Sequence, residues 1–152
     1  AAVLDPTTTR YQEKVDGSIV TVYPYDGRWE VQTSGTPDAS GPVVRRENFH
    51  KRWEPAEGVS SPMPPTFADD FWQVANLRHP GLFSSDHAPP RSMCFTFELT
   101  GPLNRIVVRH KYAQITLLGG RNLITGVEMT VDQASWWLDK RVPKVREYQF
   151  KG

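Results

Sequence analysis

Cysteine is almost missing from this chain. Cys94 stands alone, so an internal disulfide is excluded and a reducing, cytoplasmic setting is expected. An excess of one charge is missing too. Eighteen Lys and Arg face 17 Asp and Glu, a net of +1, so a global polyanion-binding surface is excluded. Any nucleic-acid contact has to come from a local patch. No apolar run approaches the ~18 residues of a membrane span, and no signal peptide is visible. No membrane partner is expected. The four histidines, His50, His79, His87 and His110, lack metal-ligand spacing, and with one cysteine no zinc site is expected. The opening Ala1-Ala2-Val3 lacks a methionine, as expected of a processed chain or of a piece of a longer one.

What is present bounds the fold. The length of 152 residues suits one domain with a real core. Thirteen prolines and eleven glycines exclude a helical bundle and call for many turns. The expected organisation is a single domain over 1–152, with a loop-rich excursion at about 34–65.

Residues 1–12 read as an irregular lead-in. Ser18 to Tyr25 is rich in strand formers, Asp26-Gly27 is a hairpin turn, and Arg28 to Thr33 alternates. Trp29, Val31 and Thr33 share one face of that second strand. A short helix is expected within Val43 to Trp53. A second helix starts at Thr66, with Asp69 three residues on as a capping-box variant, and stops at His79-Pro80-Gly81. Phe67, Phe71, Val74 and Ala75 form its apolar face. Met93 to Thr100 is a strand whose period of two sets Glu98 on the polar face, opposite Phe95 and Phe97. Further strands are expected over Arg105 to Arg109, over Gln114 to Leu118, and through Met129. Gly119 to Asn122 reads as a turn or bulge. Thr130 and Gln133 cap a helix through about Lys140, with Trp136 and Trp137 as packing residues. The fold class is α+β, with a mostly antiparallel sheet and a few helices.

Chemistry gathers at Glu13-Lys14-Val15-Asp16-Gly17-Ser18. One amine sits at the mouth of a strand, beside a glycine that lets backbone approach a ligand closely. The bland alternative is a solvated lysine before a hairpin. For Glu98 the bland alternative is a strand carboxylate facing solvent. The basic run Arg45, Arg46, His50, Lys51, Arg52, interleaved with Phe49 and Trp53, has the cations and rings of a nucleic-acid surface. Glu47 and Glu54 dilute it, and a solvated helix face is the plainer reading. Tyr112 reads as a base-stacking ring or equally as a core or interface residue.

Three segments in order resemble the covalent nucleotidyltransferases, the superfamily of RNA ligases, DNA ligases and mRNA capping enzymes. Glu13 to Ser18 resembles motif I, Lys-x-Asp-Gly. Phe97-Glu98-Leu99 with Gly101-Pro102-Leu103-Asn104-Arg105-Ile106-Val107-Val108 resembles motif III of the phage T4 RNA ligase 1 branch. Leu117-Leu118-Gly119-Gly120-Arg121-Asn122, with Thr125-Gly126, resembles that branch's next segment. The resemblance covers roughly 11–130, part of an adenylation domain.

It implies that Lys14 attacks the α-phosphate of ATP to form a lysyl-AMP, used to join RNA ends. Asp16 and Gly17 would shape the turn, and Glu13 and Ser18 would flank the nucleotide. Glu98 would hold the ribose or a Mg²⁺-bound water. Such a lysine needs a depressed pKa, and the phosphates need Mg²⁺ and cations around them. Arg45, Arg46, Lys51 and Arg52 would face nucleic acid. The resemblance also implies a phage or viral protein at work in host cytoplasm. Two later motifs of the family, Glu-Gly-x-Val and Lys-x-Lys, are absent from the 152 residues. An incomplete ligase, a ligase completed by a partner chain, and an inactive relative serving as a nucleic-acid-binding or structural module are therefore all expected alternatives.

Overall fold

The computed structural model describes residues 5–43, 65–104 and 106–149. Its centre is a hairpin. Strand β2 (Ser18–Tyr25) turns through Asp26 and Gly27 into β3 (Arg28–Gln32). Both turn residues have positive φ, +47° and +72°, as the twist-matched two-residue turn requires. Val22 pairs with Val31, and Val20, Val22 and Val31 are buried.

Strand β4 (Met93–Thr100) runs antiparallel beside β2, and β5 (Gln114–Asn122) beside β4. With β6 (Glu128–Met129) the sheet order is β3-β2-β4-β5-β6, all antiparallel. The most apolar strand is central, where both neighbours cover its backbone. Phe95, Phe97 and Leu99 are fully buried.

Helix α1 (Phe67–Arg78) covers that aromatic face. Its capping box is complete. The Asp69 N–H donates to Thr66 Oγ1 at 3.1 Å, and the Thr66 N–H donates to Asp69 Oδ2 at 3.2 Å. Phe71 meets Phe97 at 5.6 Å between ring centroids, and Phe83, from the loop after the helix, meets Trp29 at 5.2 Å. Each buried phenyl contributes about 1.5–3 kcal/mol of transfer free energy.

Four expectations need correction. Residues 106–108 are bends and not a strand, because the Val107 and Val108 N–H groups are given to Asp16. Gly119 to Asn122 continues β5, with a register irregularity where β4 passes from Thr96 to Phe97. Helix α2 (Val131–Trp136) keeps its expected capping box but ends well before Lys140. Trp136 and Trp137 pack edge-to-face on each other at 4.8 Å, and Trp136 is 72% exposed. They are not core residues.

The lead-in also holds structure. Strand β1 (Tyr11–Gln12) pairs antiparallel with β7 (Glu147–Tyr148). The tail bonds to β5 as well: the Leu117 N–H donates to Pro143 O and the Val145 N–H to Leu117 O, at 2.8 and 2.9 Å. Where the excursion begins and ends, the Val43 N–H donates to Pro65 O at 3.0 Å. The helix expected within Val43 to Trp53 lies outside the described residues beyond Val43, as do Arg45, Arg46, His50, Lys51 and Arg52.

Candidate functional site

The segment Glu13 to Gly17 crosses from the β1-β7 ladder to the five-stranded sheet. At its start the Glu13 N–H donates to Arg146 O at 2.9 Å. Val15 turns in against the core, which leaves Lys14 exposed on the outside. Glu13 is exposed too, anchored through its backbone.

Gly17 is held by crowding. A Cβ at this position would collide with the Leu99 carbonyl and lie 2.9 Å from Thr100 Cγ2 and 3.1 Å from Glu98 Cγ. With no side chain there, the strand backbone closes onto β4, and the Gly17 N–H comes near enough to the Glu98 carboxylate to favour its charged form. Register completes the approach, because Ile19 pairs with Glu98 and Ser18 with Leu99. The Ser18 hydroxyl donates to Asn104 Oδ1 at 2.9 Å, and Asn104 Nδ2 donates to Leu99 O at 2.7 Å. Asn104, buried to 5% exposure, thus ties the turn after β4 to the start of β2.

Glu98 and Asp16 have opposite electrostatics. Glu98 shares its sheet face with Thr96 and Cys94, yet it is 7% exposed. Burial pushes its carboxyl above the ordinary value. The Gly17 N–H and the Lys14 charge pull the other way, and Asp16 adds to the rise. Asp16 Oδ2 accepts from the Val108 N–H at 2.6 Å and the Val107 N–H at 2.8 Å. Those two bonds, ahead of the charges of His110 and Lys14, hold its carboxyl below the ordinary range. His110 Nε2 bonds to Asp16 O at 2.8 Å. Asp16 is therefore the anchor of the 106–110 loop, beyond the turn-shaping role expected of it.

The structure brings Lys14, Asp16, Gly17, Ser18 and Glu98 together. Asn104 is a support that sequence reasoning did not single out as a site residue, and His110, read there as a phosphate contact or an edge-strand charge, instead bonds the Asp16 backbone. Asn104 lay inside a quoted motif, and that was the available signal.

A depression of about 740 Å³ opens on the same sheet face as Glu98, lined by Thr21, Thr96, Cys94, Gly120, Arg121 and Met129 among others. Its size is in the range of small-molecule sites. Gly120 keeps the floor flat: a Cβ there would sit 2.6 Å from Cys94 O and 2.8 Å from Met129 Cε. Burial pushes the Cys94 thiol up, away from thiolate chemistry. Among the described residues, no three His, Cys, Asp or Glu side chains stand close enough to cage a metal. Mg²⁺ is commonly bound by one or two carboxylates together with substrate phosphates, and Glu98 is the buried carboxylate that would be placed to serve as one.

An antiparallel α+β core with a lysine and a buried carboxylate at one strand mouth is the class defined so far. Comparison with known proteins carries it further. The chain is 30% identical over 111 residues to an RNA ligase of Rhodothermus phage RM378, a match that covers 73% of this chain and 22% of that protein. Its fold matches a mutant of Naegleria gruberi RNA ligase solved with ATP and Mn, at a TM-score of 0.54 and 15% identity, over 94% of this chain and 37% of that one. No family model matches. These findings show an RNA ligase-like fold and a sequence likeness to part of an RNA ligase; the chain spans about a fifth of the phage protein's length and about a third of the solved one's. Among the described residues, no helix is long and apolar enough to cross a membrane.

Proposed function

We propose that this chain carries the lysine-bearing part of an ATP-dependent RNA ligase, with Lys14 as the adenylate acceptor. The observation behind the reading is the seating of the Lys14-to-Ser18 segment on β4, where Ser18 pairs with Leu99 and Ile19 with Glu98, close enough for the Lys14 charge to act on the Glu98 carboxyl. In the reaction, Lys14 Nζ, as the free amine, attacks the α-phosphorus of ATP. A P–N bond forms, the bond to pyrophosphate breaks, and the amine gives up a proton. A 5′-phosphate oxygen of an RNA end then attacks the same phosphorus, forming a P–O–P bond as the P–N bond breaks and Lys14 leaves as the reprotonated amine.

The solved relative's ATP and Mn support nucleotide and divalent metal use in this reading. Glu98 would hold the metal or the ribose, and Mg²⁺ would offset charge on the phosphates. Asp16 keeps the 106–110 loop beside the lysine. The Glu-Gly-x-Val acid and the Lys-x-Lys pair are not among these 152 residues. The reading assigns them to a partner chain or to sequence outside the 152.

The test is incubation with α-labelled ATP and Mg²⁺, alone and with candidate partner chains, followed by denaturing electrophoresis. A labelled adduct that Lys14→Ala abolishes is the expected result. No adduct under any of these conditions overturns the reading and favours an inactive relative that binds nucleic acid.

A further inference from the structure

Helix α2 links two depressions. Val131, at its start, lines the one on the Glu98 face. Trp136 and Trp137, at its end, line a second of about 520 Å³, together with Leu82, His87 and Arg141. At 1.5 Å per residue the two ends lie about 8 Å apart along the helix axis. Arg141 also borders a third depression, of about 570 Å³, with Arg78 and His79. The second and third depressions thus share Arg141, which joins the aromatic rings to the cations.

The rings are unusually open. Trp136 is 72% exposed and Trp137 37%, set nearly at right angles, so one indole holds the other. Such a ring costs solvation and, among the described residues, covers no core. The cations beside it are also held. Arg141 donates to Asp139 from Nε and from its terminal nitrogen, the latter at 2.7 Å, and Arg78 Nε donates to Ala113 O at 2.8 Å. His79, below them, is 8% exposed, with neither ring nitrogen hydrogen-bonded. Residues 136–146 hold four basic residues and one acid, a net of +3, in a chain whose total is +1. Val142 and Val145 are buried, which seats this strip with Lys140, Arg141, Lys144 and Arg146 outward; Arg141 is paired with Asp139 and Lys144 with Asp132, at 2.7 and 2.6 Å.

We propose that this surface binds single-stranded RNA, with a base stacked on Trp136 and the flanking phosphates met by Lys140, Arg141 and Arg78. Charge complementarity and the open ring face define the occupant. A duplex buries its base faces and cannot stack on the ring. The choice of RNA rests on the ligase reading. The site is separate from the expected basic run at Arg45 to Arg52.

The experiment titrates the full chain with a labelled short oligouridylate, read by anisotropy and by tryptophan fluorescence. Binding that weakens about tenfold in Trp136→Ala, and is retained in Trp136→Phe, is the expected result, since one base–ring stack is worth about 1–3 kcal/mol. Lys140→Ala with Arg141→Ala flattens the salt dependence. Trp136 is exposed, so its replacement leaves the melting temperature unchanged. Affinity within twofold of wild type in Trp136→Ala overturns the proposal, as does equal affinity for the duplex or no binding by the wild-type chain. A chain that forms the Lys14 adduct but ignores RNA overturns this surface alone. One that binds RNA through Trp136 without an adduct overturns nucleotidyl transfer alone.

Discussion

Two carboxylates near one lysine behave oppositely because one is buried and the other is hydrogen-bonded. Asp16 accepts two backbone N–H bonds, which favour its charged form. Its folded pKa lies below the ordinary 3.8, so the stability it contributes is present above that value and is lost as pH falls through the folded pKa. Glu98 is raised above its ordinary 4.5 by burial. What it contributes is present below 4.5 and is lost as pH rises through its folded pKa. A carbon-detected carboxyl titration should therefore find Asp16 titrating below 3.8 and Glu98 above 4.5. In the same acid range, as Asp16 protonates, the Val107 and Val108 amides should exchange faster. Unshifted carboxyls would contradict the geometry. At this scale the sequence singled out Lys14 and Glu98, and the fold brings the Lys14 charge to bear on the Glu98 carboxyl. It was silent on what Asp16 holds, because that partner loop comes from far along the chain.

At the scale of elements, the strands with strong alternation were legible. The hairpin at Asp26-Gly27, the α1 capping box and the polar face of β4 all appear where the pattern sets them. The misses share a cause. Residues 106–108 are β-branched and apolar, yet their amides satisfy a carboxylate instead of a ladder. Strand β1 is two residues long, below any periodicity, and exists because β7 returns to pair with it. Helix α2 stops early and the tail continues onto β5. The β2-β4 contact offers a direct check. Gly17→Ala forces a Cβ against the Leu99 carbonyl, a rigid backbone atom. Overpacking of this kind costs about 1–3 kcal/mol, measurable by urea denaturation. The same change should lower adduct yield, because it moves the Gly17 N–H off Glu98. A neutral effect on both would mean that the close approach is not needed.

For the molecule as a whole, one aromatic core carries the site. Phe97 is fully buried between Phe71 and Phe83 and sits next to Glu98 in sequence. Phe97→Ala should cost about 3–5 kcal/mol, read as a lower denaturation midpoint. Loss of stability without a matching loss of Lys14 adenylation at low temperature would separate fold from chemistry. Residue types and their order determined the strand pattern, the caps and the family resemblance, because period and capping are local properties. The tertiary structure decided which of those groups meet. Antiparallel register set Ile19 opposite Glu98, the missing side chain of Gly17 let the two strands close, and Asp16 captured a loop that local pattern had assigned to a strand. The tryptophans read as packing residues pack on each other at the surface for the same reason. A helix end faces solvent or core according to where the sheet sits, and no window of neighbouring residues contains that.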